Sequence, residues 1–229
     1  MNPTIIPNLN SGPNPNSLLS CRGISFSYPG KVLFRAVDLD VLPGNLLHLR
    51  GPNGAGKSTF LRICAGLLDA QTGEIDCPPE RLDYLPAEAN GFHLKLGAAG
   101  NLDFWHELRT GKKIPDAVLQ KTLAEWKLDH PLILGSAAFG SAGNWGLGVG
   151  KFSTGMKRRL ALARLVLNGA PLWLLDEPVS GLDEDAVGTF VATLDRHLAA
   201  GGGAIIISHD TRIFNSLQSQ TLDLGGGTP

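Results

Sequence analysis

The sequence has few cysteines, no long apolar run and no excess of charge of one sign. Its three cysteines, Cys21, Cys64 and Cys77, form no CxxC pair and no Cys/His ligand spacing, so the sequence supports neither a disulfide framework nor a zinc site. Its apolar stretches stay well below the roughly 20 residues that cross a bilayer. The N-terminus also lacks the basic start and apolar core of a signal peptide. We therefore expect a soluble globular protein that would need a partner for any role at a membrane.

The charge balance bears on a basic segment at residues 151–168, KFSTGMKRRLALARLVLN. Lys157, Arg158, Arg159 and Arg164 could line a helix that binds nucleic acid, or the Ser-Thr-Gly before the helix could hold a phosphate of another molecule. The chain has 20 basic and 21 acidic side chains and a net charge of -1, which argues against a large cationic surface. We therefore expect no nucleic-acid partner.

The pattern of apolar residues predicts an α/β fold. Residues 1–19 are rich in Asn, Pro and Ser and are predicted to form a disordered tail, so the folded domain is expected to cover 20–229. The domain starts with strand-like segments such as ISFSY, and residues 88–152 are predicted to be mostly helical. The apolar strands PLWLLD and AIIIS, separated by a helix at 184–199, predict a parallel sheet covered on both faces.

The strongest local signal is a phosphate-binding loop between an apolar strand and an apolar-periodic helix. Gly51, Gly56, Lys57 and Ser58 fit the pattern GxxxxGK[ST]. Glycines let backbone N–H groups curl around phosphates at a helix N-terminus, where the helix dipole also favours anions. Lys57 would reach the β and γ phosphates, and the Ser58 hydroxyl would bind Mg²⁺. The full set of loop residues predicted to contact ATP is Gly51, Pro52, Asn53, Gly54, Ala55, Gly56, Lys57, Ser58 and Thr59.

A second element of the site is an acidic pair at the end of the strand PLWLLD. Asp176 and Glu177 lie at the carboxyl end of a predicted parallel strand, which is where such sheets bind ligands. Asp176 is expected to hold Mg²⁺, together with Ser58. Glu177 is expected to orient the attacking water, the role that phosphoryl transfer needs most.

Two further segments complete a resemblance to a known family. Ser180-Gly-Leu-Asp183 follows the acidic pair, and AIIISHD ends a strand with His209. In order, type and spacing, these motifs resemble the nucleotide-binding subunit of an ATP-binding cassette (ABC) transporter over nearly all of residues 20–225. The resemblance implies a phosphate-loop ATPase core with an antiparallel β subdomain and a small helical subdomain. It also implies that His209 contacts the γ-phosphate, that Tyr28 stacks on adenine, and that Asp183 lies at the nucleotide.

The resemblance gives the segment at 151–168 a function. Ser153, Thr154 and Gly155 match the signature that the family usually writes LSGGQ, which contacts the ATP held by a second copy. Two copies are therefore expected to pair head to tail. The signature departs from the pattern at Met156, where the family has Gln, as well as at Phe152 and Thr154. Ala87 and Glu88 occupy the region where the family usually has a glutamine that senses magnesium.

Three other segments indicate a branch of the family. NLDFWHELRTG, PLWLLDEP and HLAAGGGAIIISHD look like the haem-export ATPase of cytochrome c maturation. This likeness implies an ATPase that lies at the cytoplasmic face of a membrane and powers a separate integral-membrane subunit. Another small ABC exporter, or a regulatory ATP-binding module that does not hydrolyse ATP, remains an alternative at this point.

Overall fold

A computed structural model of the chain describes residues 14–88, 91–130, 133 and 147–225. Within these residues it divides into two compact units. The first unit contains the described residues up to Ala87, then Ala170–Pro178, and then those from Leu194 onward. The second unit contains Glu88–Gly169 and Val179–Thr193. The second unit extends beyond residue 152, where the helical part was predicted to end.

The centre of the first unit is a parallel sheet of five strands in the order β5-β6-β7-β3-β8. Two of these strands, β6 and β7, are buried along their whole length, because the sequences LWLLD and GAIII carry apolar residues on both faces. Their ends pair at Asp176 and Ile207. The strands span Leu46–Arg50 (β3), Leu82–Leu85 (β5), Leu172–Asp176 (β6), Gly203–Ile207 (β7) and Gln220–Asp223 (β8).

An antiparallel sheet of three strands, in the order β2-β1-β4, completes the first unit. β1 and β2 form a hairpin whose turn contains Gly30 at a φ of 78°, a left-handed conformation that favours glycine. The strands span Leu19–Tyr28 (β1), Lys31–Val41 (β2) and Thr72–Asp76 (β4).

The start of β1 corrects the predicted tail. Residues 1–13 lie outside the described residues. Leu18 and Leu19 are buried, and the Leu18 N–H donates to the Val41 carbonyl over 2.7 Å. Both leucines belong to the hydrophobic core cluster, so the folded part begins before residue 20.

Several ends of the described helices carry recognisable signals. Ser153 caps the N-terminus of α4, and the left-handed Gly111 and Gly169 end α2 and α4. In α5 the first turn is acidic and the last turn basic, which suits the helix dipole. The helices span Lys57–Cys64 (α1), Ala98–Thr110 (α2), Asp116–Glu125 (α3), Thr154–Asn168 (α4) and Glu184–Ala199 (α5).

The predicted fold class is confirmed. The parallel sheet with its phosphate loop and the antiparallel sheet lie in one unit, and α2, α3 and α4 lie in the other. Among the helices that the structure describes, none is long and apolar enough to span a membrane.

Candidate functional site

The phosphate loop leaves β3 at Gly51 and enters α1 at Lys57. Two positions of the loop require glycine, both because of their backbone conformation and because a side chain would have too little space. Gly51 and Gly56 have φ values of 141° and 95°, and a Cβ atom on Gly56 would lie 2.9 Å from the Cβ of Leu33. A larger residue at either position would therefore strain the loop or displace its neighbours.

The same loop is well suited to an anion. Gly56 is the N-cap of α1 and has no side chain to cap it, so the first N–H groups of the helix face the loop. The Lys57 Nζ donates to the carbonyls of Gly51 and Pro52, over 2.8 and 3.1 Å, which holds the ammonium group beside the loop. Backbone donors, a helix N-terminus and a lysine together fit the phosphate chain of a nucleotide.

The acidic pair lies at the end of β6. Asp176 is buried and Glu177 follows it at a φ of 47°, which is uncommon for a residue that is not glycine. The Glu177 N–H donates to the Ile207 carbonyl over 2.8 Å, which fixes the backbone against the end of β7. A buried carboxylate oxygen and the Ser58 hydroxyl are the oxygen ligands that Mg²⁺ prefers, so the residues present fit the predicted metal.

The Glu177 carboxylate is held by the segment after β7. Its Oε2 accepts from the Ser208 Oγ, over 3.3 Å, and from the His209 N–H, over 3.4 Å. The His209 Nε2 lies 3.7 Å from the Glu177 Oε1. The structure therefore brings together two of the residues predicted to be catalytic, Glu177 and His209.

A cavity of about 330 Å³ connects this segment with the phosphate loop. It is lined by Gly51, Pro52 and Lys57 of the loop and by Ser208 and His209 of the segment after β7, among other residues. Lys57 and His209, predicted separately from two motifs, thus border one cavity.

Tyr28 lies in the hairpin of β1 and β2. Its side chain is 51% exposed, and its ring meets Phe26 edge-on with 5.2 Å between the ring centroids. Since about half of the residue is open to solvent, its ring is accessible to a ligand that stacks on aromatic side chains. Contact with adenine remains a prediction.

The signature residues lie in the second unit, at the N-terminus of α4. The Ser153 Oγ accepts from the Met156 N–H over 3.2 Å and so caps the helix. A Cβ atom on Gly155 would lie 3.1 Å from the Gly181 carbonyl oxygen, so the third signature position is tight. Ser153, Thr154 and Gly155 therefore place a hydroxyl group and a helix N-terminus together, the elements of an anion site.

Comparisons with known proteins identify the family. The sequence profile described as ABC transporter matches residues 34–180. The chain belongs to the ABC transporter family. The ABC ATPase is 36% identical to the cytochrome c biogenesis ATP-binding export protein CcmA of Ruegeria pomeroyi, over 90% of this chain and 91% of that protein. It is 38% identical to the protein of the same name from Cupriavidus necator, over 84% of this chain and 83% of that protein.

A solved structure supports the fold of the ABC ATPase. The ATP binding subunit of an ABC transporter matches it with a TM-score of 0.76 and 21% identity, over 91% of this chain and 86% of that one. The predicted family, the resemblance to the ATPase of cytochrome c maturation, and the assignment as an ATP-binding ATPase subunit are confirmed by these comparisons.

Asp183 of the ABC ATPase has a structural role within the second unit. Its Oδ1 accepts from the Ala186 N–H over 2.9 Å, which caps the start of α5. Its Oδ2 forms an ion pair with Arg159, whose side chain is mostly buried. Contact of Asp183 with nucleotide remains a prediction.

The basic residues after the signature also have partners in the second unit. Arg158 is buried, and Arg159 pairs with Asp183. The guanidinium carbon of Arg164 lies 5.3 Å from the centroid of Phe92 and 5.1 Å from that of Trp105. These three arginines therefore have local packing and charge roles.

Two residues beside the site were missed by the sequence reasoning. The Lys31 Nζ donates to the Gly54 carbonyl of the phosphate loop over 2.9 Å. His48 lies in β3, and its Nε2 lies 3.1 Å from the Ser208 carbonyl oxygen. Neither residue belongs to a motif, and both contacts join segments far apart in sequence, so no local pattern could have revealed them.

Proposed function

We propose that this chain binds ATP with Mg²⁺, hydrolyses it in a head-to-tail pair of copies, and powers a separate membrane subunit that exports haem for cytochrome c maturation. Family membership supports ATP binding. The proposal of hydrolysis rests on the arrangement at the edge of the parallel sheet. There the His209 Nε2 lies 3.7 Å from the Glu177 Oε1, and Lys57 and His209 line one cavity.

Each site residue has a role in this proposal. Lys57 and the N-terminus of α1 bind the phosphates and stabilise the charge that develops on them. Ser58 and Asp176 would hold Mg²⁺, which supplies further neutralisation of phosphate charge. Glu177 orients and polarises water, and its carboxylate is kept in place by Ser208 and His209.

The paired arrangement rests on the signature. Ser153, Thr154 and Gly155 form an anion site in the second unit, which also contains Asp183. In the proposed pair, this site of one copy contacts the ATP bound at Gly51 to Thr59 of the other. Hydrolysis would then require two copies, whereas binding would require one.

The membrane partner and the cargo follow from the relatives. The relatives from Ruegeria pomeroyi and Cupriavidus necator are both named as export proteins of cytochrome c biogenesis. Since no described helix could span a membrane, transport by this chain would need an integral-membrane subunit. We therefore place the chain at the cytoplasmic face of that subunit, as a peripheral protein.

Loss of c-type cytochromes tests the cargo. Cells that lack this protein should lose covalently haem-bearing proteins on a haem-stained gel of membranes, and the wild-type chain should restore them. Lys57→Ala should not restore them, because the loop charge is needed for turnover whatever the cargo. Lys112→Ala, which removes an exposed lysine of the second unit, is the matched control and should complement fully. Normal c-type cytochromes in the deletion strain would contradict haem export.

A further inference from the structure

His48 occupies an unusual position beside the catalytic residues. It lies in β3, three residues before Gly51, and its ring is partly buried. The ring stacks on Phe214, with 3.9 Å between the centroids and 14° between the planes. This stack fixes the orientation of the imidazole, so its nitrogen atoms have defined directions.

The imidazole makes one directed hydrogen bond. The His48 Nε2 lies 3.1 Å from the carbonyl oxygen of Ser208. A carbonyl oxygen can only accept, so the Nε2 carries the hydrogen and donates it. Burial lowers the pKa of His48, and Arg50 and His209 lower it further, although the hydrogen bond to Ser208 opposes them. The neutral form with its hydrogen on Nε2 therefore makes this contact at neutral pH.

This hydrogen bond acts where the backbone ladder ends. The pairing of β3 with β7 stops at His48 and Ile206, and β7 itself ends at Ile207. Ser208 is therefore the first residue after β7, and the His48 side chain reaches its carbonyl. The His48 side chain thus connects β3, the strand that leads into the phosphate loop, with the segment that follows β7.

The Ser208 segment controls the Glu177 carboxylate. The Ser208 Oγ and the His209 N–H both donate to the Glu177 Oε2. The Ser208 Oγ in turn accepts from the Asp210 N–H over 3.1 Å. A shift of the peptide after Ser208 would therefore move the His209 N–H away from the carboxylate that it orients.

We propose that His48 is a positioning residue for hydrolysis, which fixes the Ser208 carbonyl and thereby holds Glu177 and His209 in their working orientation. This inference rests on the proposed function, because it assigns the role to the same catalytic residues. His48 also lines the cavity that Lys57 and His209 border, but its proposed role is exerted through the Ser208 carbonyl. Its loss should lower kcat and leave ATP binding unchanged.

Three substitutions separate the hydrogen bond from the stack. His48→Phe keeps an aromatic ring against Phe214 and removes the donor. His48→Gln loses the ring and keeps an N–H group at a similar distance from the backbone. His48→Asn carries the same amide on a chain that is one methylene shorter, so it is the matched control for Gln.

The measurements are kcat and KM for ATP with Mg²⁺ on the full-length protein, together with ATP affinity and thermal unfolding. Loss of one hydrogen bond should lower kcat about three- to tenfold in His48→Phe and His48→Asn, with KM and affinity unchanged. His48→Gln should recover kcat to within about twofold. If the Phe variant does not fold, the comparison of Gln with Asn carries the test alone.

Two results would overturn the inference. One is an unchanged kcat in both His48→Phe and His48→Asn, and the other is a His48→Gln variant as slow as His48→Asn. If the unsubstituted protein itself shows no ATP hydrolysis, the proposed function fails instead, so the two failures can be told apart.

Discussion

The most direct test of the site is Glu177→Gln. The substitution removes the carboxylate and keeps the length and shape of the side chain. The backbone should not respond, because the Glu177 N–H still donates to the Ile207 carbonyl and the φ of 47° is equally uncommon for both residues. A glutamine Oε1 can also accept from the Ser208 Oγ and the His209 N–H. The free energy of unfolding should therefore stay within about 0.5 kcal/mol of the wild type.

The effect on hydrolysis should be large. Water orientation and proton acceptance by a side chain contribute roughly 10²- to 10⁴-fold to rate, which corresponds to about 3 to 5 kcal/mol of the barrier. Lys57 and the N-terminus of α1 are unaltered, so ATP affinity should stay within about twofold of the wild type. Binding without hydrolysis should then trap a pair of copies around ATP.

Size-exclusion chromatography with ATP and Mg²⁺, run beside a phosphate-release assay, measures both effects. The Glu177→Gln variant should elute as a dimer, and its release of phosphate should fall by at least about a hundredfold. Glu184→Gln, which changes an exposed carboxylate at the start of α5, is the matched control and should behave as the wild type. Elution as monomer together with undiminished turnover would refute both the role of Glu177 and the paired arrangement.

Two pairs of substitutions test the signature and the core. Ser153→Arg should spare the ATP affinity of the isolated chain and lower hydrolysis at least about tenfold, because the damage falls on the ATP of the other copy, whereas Met156→Gln should be mild. Weaker ATP binding by monomeric Ser153→Arg in calorimetry would contradict the assignment. Gly202→Ala should destabilise the fold by about 1 to 3 kcal/mol, since its Cβ atom would lie 2.3 Å from the His197 ring. Gly188 lies within α5, and a Cβ atom there would meet no neighbour, so Gly188→Ala should raise the free energy of unfolding by about 0.5 to 1 kcal/mol. Equal melting temperatures for the Gly202→Ala and Gly188→Ala variants would contradict this account of the packing.

Much of the fold could be predicted because its strongest signals are local. The strands LWLLD and GAIII are apolar throughout, so a parallel sheet covered on both faces is the arrangement that buries them. The positive φ values of Gly51 and Gly56 are local to the phosphate loop and go with the pattern GxxxxGK[ST], whereas the close approach of Leu33 to Gly56 comes from β2 and depends on tertiary packing. Glu177 follows the end of its strand directly, so a parallel sheet alone places it at the ligand-binding edge.

The contacts that tune the site could not be predicted because they join distant segments. His48 and Ser208 are 160 positions apart, and a single histidine in an apolar strand gives no sign of a partner. Lys31 reaches the Gly54 carbonyl only because the hairpin of β1 and β2 lies beside the loop. Such contacts depend on tertiary packing, which the spacing of apolar residues along the chain does not predict.

The segments that suggested the branch of the family are also explained by packing. Asn101 of NLDFWHELRTG is fully buried, and its side chain bonds to backbone groups of His93, Leu96 and Gly97. Trp173 of PLWLLDEP stacks on His197 with 3.7 Å between the ring centroids. The His197 ring in turn leaves space only for glycine at position 202. These residues stabilise their own units, so the segments that carry the likeness also serve the fold. The likeness in these segments therefore does not identify a cargo, so the cargo must be tested in cells, whereas the catalytic assignments can be tested on the isolated chain.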